Sequence, residues 1–158
     1  MARWANAGLV TAIGLWVGGL AALSLAVAPI VFRTAGSRHL AGTIFGSVLR
    51  TFGWIELGLA AAAAACFALS HPSGRTDWAR GGMLAIMLCL LAAYSFGTNP
   101  AIAELRPQCG SFDREPASDA ERAARSRFDR LHAWSVRLVA ANILVGLALL
   151  AASAARKP

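Results

Sequence analysis

Eight polar side chains in this chain could do chemistry: Arg33, Glu56, Asn99, Arg106, His132, Ser135, Arg137 and Asn142. Each borders or interrupts a long apolar stretch. Glu56 is the one acid inside any such stretch, and an ionisable group in an apolar medium must pair or line a polar cavity. Its natural partner is Arg137, or Arg33 if the helices pack differently. At 100° per residue His132, Ser135 and Asn142 fall within roughly 80° of one another, and Asn142 lies about 15 Å beyond His132 along a helix. One polar seam on one helix face is therefore expected. Three chemistries fit it. Interhelical hydrogen bonds or a shallow solute pocket need only those amides and hydroxyls. Metal or haem ligation would use His132, with His39 on the same membrane side, whereas His71 belongs on the opposite side. Proton transfer between Glu56 and His132 would make an enzyme, and for that the two must converge on one cavity.

Nothing sharper is written in the motifs. No HxxxH, CxxC or histidine cluster sets a coordination geometry. No G-x-S-x-G elbow announces a nucleophile, and Gly14, Gly18 and Gly19 sit in an apolar run, where a phosphate loop would follow a strand. Cys66 and Cys89 read as small buried hydrophobes, leaving Cys109, in a polar loop, as the candidate reactive thiol.

The elements that must position these groups are four apolar stretches, at about 7–32, 52–70, 81–97 and 134–155, each near the length that crosses a hydrocarbon core of about 30 Å. The whole chain, 1–158, reads as one integral membrane domain of all-α class, a four-transmembrane-helix bundle. The first stretch is much longer than a signal h-region, and Pro29 would follow the small-residue site Ala26-Val27-Ala28, so it reads as a retained span. Before the second, Leu40, Ala41, Ile44, Phe45, Val48, Leu49 and Phe52 make an apolar stripe with Ser37 as N-cap. That segment is an interfacial amphipathic helix or an extension of the span. His71-Pro72-Ser73-Gly74 ends the second span, a polar turn through Arg80 returns the chain, and Asn99-Pro100 should close the third. The polar loop 99–130 contains Ser118-Asp119-Ala120-Glu121, an S-x-x-E capping box that starts a fourth helix in water. Gly14-xxx-Gly18, Gly42-xxx-Gly46 and Ala60 to Ala65 are candidates for close helix packing.

The composition excludes the usual soluble classes. Hydrophobic residues make up 57% and charged residues 15% of 158, against about 25% charged in an ordinary domain. The net charge of +7 invites a nucleic-acid reading until it is located. Loop 99–130 carries six arginines and six acids and cancels itself. The excess comes from the remainder, where nine cations (Arg3, Arg33, Arg38, Arg50, Arg75, Arg80, Arg137, Arg156 and Lys157) face Glu56 and Asp77. Those cations flank spans, where they meet anionic headgroups of the bilayer, and no nucleic-acid motif accompanies them. Nine arginines on the first and third loops place those loops in the cytoplasm and both termini outside, by the positive-inside rule.

Several of these residues fall in a pattern. Ala28-Pro29-Ile30-Val31-Phe32-Arg33, Ala41-Gly42, Asn99-Pro100-Ala101-Ile102 with Leu105-Arg106, and Phe128-Asp129-Arg130-Leu131-His132-Ala133-Trp134-Ser135 with the later Asn142 resemble the transmembrane-protein-205-like family of unknown function. The resemblance implies four membrane helices and brings no reaction. The expectation is therefore a non-enzymatic accessory or small-solute-handling membrane component with no cofactor, the alternative being a haem- or metal-binding protein. Protein partners would be further copies of the chain or subunits of a membrane complex.

Overall fold

The computed structural model describes residues 2–70 and 72–155; the expected position of His71 and the cations Arg156 and Lys157 lie outside the described residues. Helix α1 (Ala2–Ala22), a π-helical turn (Leu23–Val27) and α2 (Ala28–Thr34) form span 1, and α3 (Arg38–Leu69) forms span 2. Span 3 consists of α4 (Arg75–Ala92), a second π-helical turn (Ala93–Thr98), α5 (Asn99–Leu105) and a 3-10 turn (Arg106–Cys109), and α6 (Asp119–Ala154) is span 4. All four runs are long and apolar enough to cross a membrane, and no strand occurs among the described residues. The protein is an all-α, multi-pass membrane protein.

Local sequence sets most of the boundaries. Ser37 accepts the Leu40 amide at 3.0 Å and starts α3, so the amphipathic segment is an extension of span 2 within one 32-residue helix. Ser118 accepts the Glu121 amide at 3.2 Å and starts α6. Glu121 does not complete the expected box; its carboxylate takes the Ala117 amide and the Arg114 guanidinium instead.

Span 3 departs from expectation at both ends. Its helix begins at Arg75, so Arg75 to Arg80 is helix and not a connecting turn. Asp77 in the first turn reaches back to the Ser73 amide at 3.2 Å and extends the helix into the polar stretch. At the other end helical structure continues through Asn99-Pro100. Proline normally breaks a helix because it lacks a donor and its ring meets the carbonyl four residues back. Here the preceding turn widens. The Asn99 amide bonds the Tyr94 carbonyl, five residues back, which makes room for Pro100. Span 1 uses the same device, with the Ala28 amide on the Leu23 carbonyl just before Pro29.

Span 1 packs against spans 2 and 4, and span 4 packs against span 3. Leu9, Ile13, Trp16, Met87 and Leu149 form the fully buried centre. In lipid such contacts depend on van der Waals fit and close approach. Gly146 supplies that approach, because a Cβ there would strike Val17 and come within 2.9 Å of Met87. Ala60 and Ala63 are buried as expected, whereas Gly14 and Gly18 have nothing within 4 Å of where a Cβ would stand, so that pair is not a packing contact among the described residues. Spans 2 and 3 barely touch along their lengths.

Trp4 and Trp78 lie exposed at the end of the bundle near the termini, and Trp134 lies exposed near the polar loop, the placement of interfacial aromatics. Counting about 1.5 Å per residue, Trp134 stands about 30 Å from Ala154, and Arg50 about 28 Å from Leu69. Those lengths match the hydrocarbon thickness, so both residues belong at the loop-side interface.

Candidate functional site

Positions 56, 60 and 63 recur on one face of α3, and Glu56, Ala60 and Ala63 are all buried there. That face carries Glu56 into the bundle. Its carboxylate accepts the Trp16 indole N–H at 2.5 Å and the Tyr94 hydroxyl at a shorter distance, joining spans 1, 2 and 3. The expected ion pair is not formed. Arg137 packs over the Trp134 ring, 5.4 Å from its centroid, on an exposed face of α6, and Arg33 is exposed at the end of α2. Two arginines near span ends can keep their charge in the interface; Glu56, deep in α3, satisfies its oxygen with neutral donors.

A second polar link joins spans 2 and 3 farther toward the loops. Arg106 Nη2 donates to the His39 carbonyl and the Thr43 hydroxyl, both at 3.1 Å. The guanidinium lies where a side chain at residue 42 would be, 2.7 Å from the position of a Cβ on Gly42. The glycine noticed as a helix-packing position therefore receives an arginine and not a neighbouring helix.

Between these two links the spans part, leaving a cleft of about 390 Å³. Gly46, Arg50, Gly53 and Trp54 form its α3 wall; Phe96, Asn99 and Arg106 are on the opposite wall. The charged and amide lining residues, Arg50, Asn99 and Arg106, lie toward the loops; Trp54 and Phe96 lie deeper, with the Ser95 hydroxyl beside Phe96 at the deep end. None of its lining residues is acidic. Cβ atoms at Gly46 and Gly53 would meet nothing within 4 Å, so the absence of side chains there keeps the cleft open.

The expected seam on α6 is divided. Ser135 donates to Asn99 at 3.2 Å, and buried Asn142 donates to the Met87 carbonyl at 3.1 Å, both tying span 4 to span 3. The Asn142 carbonyl oxygen has no partner. His132 is exposed and stacks on Phe128 with centroids 6.0 Å apart. His39 places Nδ1 in a buried position and, among the described residues, has no hydrogen-bond partner there and no hydrogen bond or ring contact with His132. Among the described residues Glu56 and His132 share no partner: Glu56 is held inside the bundle by Trp16 and Tyr94, and exposed His132 stacks on Phe128. Among the described residues no group of three His, Cys, Asp or Glu could hold a metal ion. Cys109, expected as the reactive thiol, is buried, its thiol donating to the Leu105 carbonyl at 3.3 Å; Cys66 packs partly buried against the core, and Cys89, expected to be buried, is exposed on the outer face of span 3.

Sequence reasoning missed a second buried polar cluster. Arg80, 2% exposed, donates to Asp77 at 3.1 Å, to Ser153 at 3.1 Å and to Asn6 at 2.5 Å, joining the termini-side ends of spans 1, 3 and 4. Assigning Arg80 to lipid headgroups is thus incorrect. The Asp77-x-x-Arg80 spacing, which places opposite charges on one helix face, is the signal that could have found it. On the loop side Asp113 accepts the Arg38 and His39 amides at 2.7 and 3.2 Å and fastens the polar loop to the start of α3. Desolvation pushes its carboxyl up, but the His39 amide, the Ser37 hydroxyl, the Arg38 amide and the His39 charge outweigh it and hold the group below its ordinary 3.8.

A domain of unknown function, DUF4149, matches residues 11–111. The chain belongs to the DUF4149 family. The DUF4149 stretch contains every lining residue of the cleft together with Trp16, Glu56 and Tyr94, whereas His132, Ser135, Arg137 and Asn142 lie beyond it. No curated protein and no solved structure shows significant similarity to this DUF4149 chain.

Proposed function

We propose that this protein is a non-enzymatic membrane component that handles a small amphiphilic solute, taken from the membrane into the cleft between spans 2 and 3. One observation carries the reading. Polar links at Glu56 and Arg106 tether spans 2 and 3, while the helices between them stand apart around a cleft of about 390 Å³. Pockets that bind small ligands have this size and this mixture of apolar wall and few polar groups. The resemblance to the transmembrane-protein-205-like family agrees with a four-helix architecture and adds no activity. The positive-inside reading puts the cleft's polar mouth, and loops 1 and 3, in the cytoplasm. An impermeant thiol reagent on intact cells tests this with Ala123→Cys, at an exposed position on the outer part of α6; Ala123→Cys should stay unlabelled until the cells are opened.

The solute reading is tested by the intact mass of the protein released from mild detergent. The wild type should carry small-molecule adducts that a Gly46→Leu, Gly53→Leu double variant lacks. The added side chains meet open space, and leucine gains about 1 kcal/mol of helix propensity over glycine per site, so the variant should be no less stable than the wild type. Equal adducts on both proteins would exclude the cleft as the binding place. A haem band or stoichiometric metal in the same preparation, lost in His132→Ala, would favour the ligation alternative.

A further inference from the structure

Resting on the solute reading, we infer that the occupant of the cleft is an anionic glycerophospholipid, its phosphate between Arg50 and Arg106 and part of one acyl chain along the wall formed by Gly46, Gly53, Trp54 and Phe96. Charge and depth both lead there. Arg50 lines the cleft at the level of the loop-side interface and has no hydrogen-bond or ion-pair partner among the described residues. Arg106 spends one terminal nitrogen, Nη2, on the His39 carbonyl and the Thr43 hydroxyl. Its other N–H groups make no hydrogen bond among the described residues. Two guanidiniums with no acid in the lining leave a local excess of positive charge, and guanidinium donors match phosphate oxygens. Asn99, also lining the cleft, accepts the Ser135 hydroxyl through its carbonyl oxygen. Its amide N–H₂ remains as a further donor for glycerol or phosphate oxygens.

Below that level the walls change character. Trp54 and Phe96 are 75% and 70% exposed, and Gly46 and Gly53 on the α3 wall leave room for a chain to lie against the α3 backbone. A headgroup at the interface with a tail running toward the bilayer centre has the same polarity gradient. An uncharged solute would leave the Arg50 and Arg106 charges in the cleft lining without compensation. The lateral opening between spans 2 and 3 lets a lipid enter from the leaflet without leaving the membrane.

The test uses the full chain in nanodiscs of phosphatidylglycerol or phosphatidylcholine with identical acyl chains, released and weighed intact to count retained lipids. At about fivefold per arginine, phosphatidylglycerol should be retained about 30-fold better by the wild type. Arg50→Gln should cut the preference about fivefold without disturbing the fold, since exposed Arg50 makes no hydrogen bond or ion pair among the described residues. Arg106→Gln should remove the remainder, and Arg106→Lys should restore part of it. The Gly46→Leu, Gly53→Leu variant should retain neither lipid in the cleft. Equal retention of both lipids by the wild type, with loss in the double-leucine variant, would overturn the anionic assignment and leave the solute reading standing. Retention unaffected by the double-leucine substitution would overturn both.

Discussion

Two buried polar clusters hold this bundle together, and they solve the same problem in opposite ways. Near the termini Asp77 and Arg80 are both buried, and their charges cancel at 3.1 Å while Asn6 and Ser153 take further guanidinium donors. Deep in the bundle Glu56 is also buried, yet no cation pairs with it among the described residues; Trp16 and Tyr94 meet its carboxylate. The first cluster is a neutral clamp, joining three helix ends. The second lies just past the deep end of a cleft whose loop-side boundary is a cation, Arg106. The difference teaches where this protein keeps unbalanced charge. At the termini end of the bundle the Asp77 and Arg80 charges are matched, and along spans 2 and 3 an acid and two arginines remain separated by a gap.

The contrast can be broken experimentally, beginning with the matched pair. Arg80→Leu leaves Asp77 buried without its arginine and should cost about 3–5 kcal/mol, enough to abolish recovery of folded protein or to lower its unfolding midpoint sharply. Glu56→Leu should cost about 2–4 kcal/mol, because the Trp16 N–H and the Tyr94 hydroxyl then lose their acceptor. Glu56→Gln keeps an acceptor for both and should cost about 1 kcal/mol or less, as should Tyr94→Phe. If Glu56→Gln proved as damaging as Arg80→Leu in denaturant unfolding, the two clusters would not differ in kind.

The smallest effect lies in water. Asp113 has its carboxyl depressed below 3.8, so its tether to α3 is at full strength above that pH and is lost as the pH falls through the depressed folded value. Protection of the Arg38 and His39 amides, taken relative to the intrinsic exchange rate at each pH, should therefore fall in that acid range, and Asp113→Asn should show the lower protection already at neutral pH. Protection in the variant that still rose on raising the pH through this range would assign the effect to another group.

The spans, the serine caps and the burial of Glu56 and Asn142 are legible in the sequence because each depends on local composition or helix periodicity. Pro100 misleads for a physical reason: the rule that proline stops a helix assumes a standard turn before it, and a π-helical turn, like the one before Pro29, removes the clash. The partners of Glu56 are not legible. Trp16 lies 40 residues away and Tyr94 38 residues away, and both belong to strongly apolar runs in which an aromatic residue carries no sign that its polar atom is used. The cleft is only half visible. Gly42, Gly46 and Gly53 can be read as a small-residue face, but small residues promise a helix contact, and only the packing order reveals that the facing helix stays away.

The most direct measurement of the central claim is photo-crosslinking in membranes with a phosphatidylglycerol carrying a diazirine in its acyl chain, mapped to residues by mass spectrometry. Trp54 and Phe96 are 75% and 70% exposed, and Leu25 and Leu144, away from the cleft, are 79% and 67% exposed, so random lipid contact would label the two pairs alike. A lipid seated between spans 2 and 3 predicts several times more label on Trp54 and Phe96 than on Leu25 and Leu144, with the excess lost in the Gly46→Leu, Gly53→Leu variant. Equal labelling of the two pairs in the wild type would contradict it.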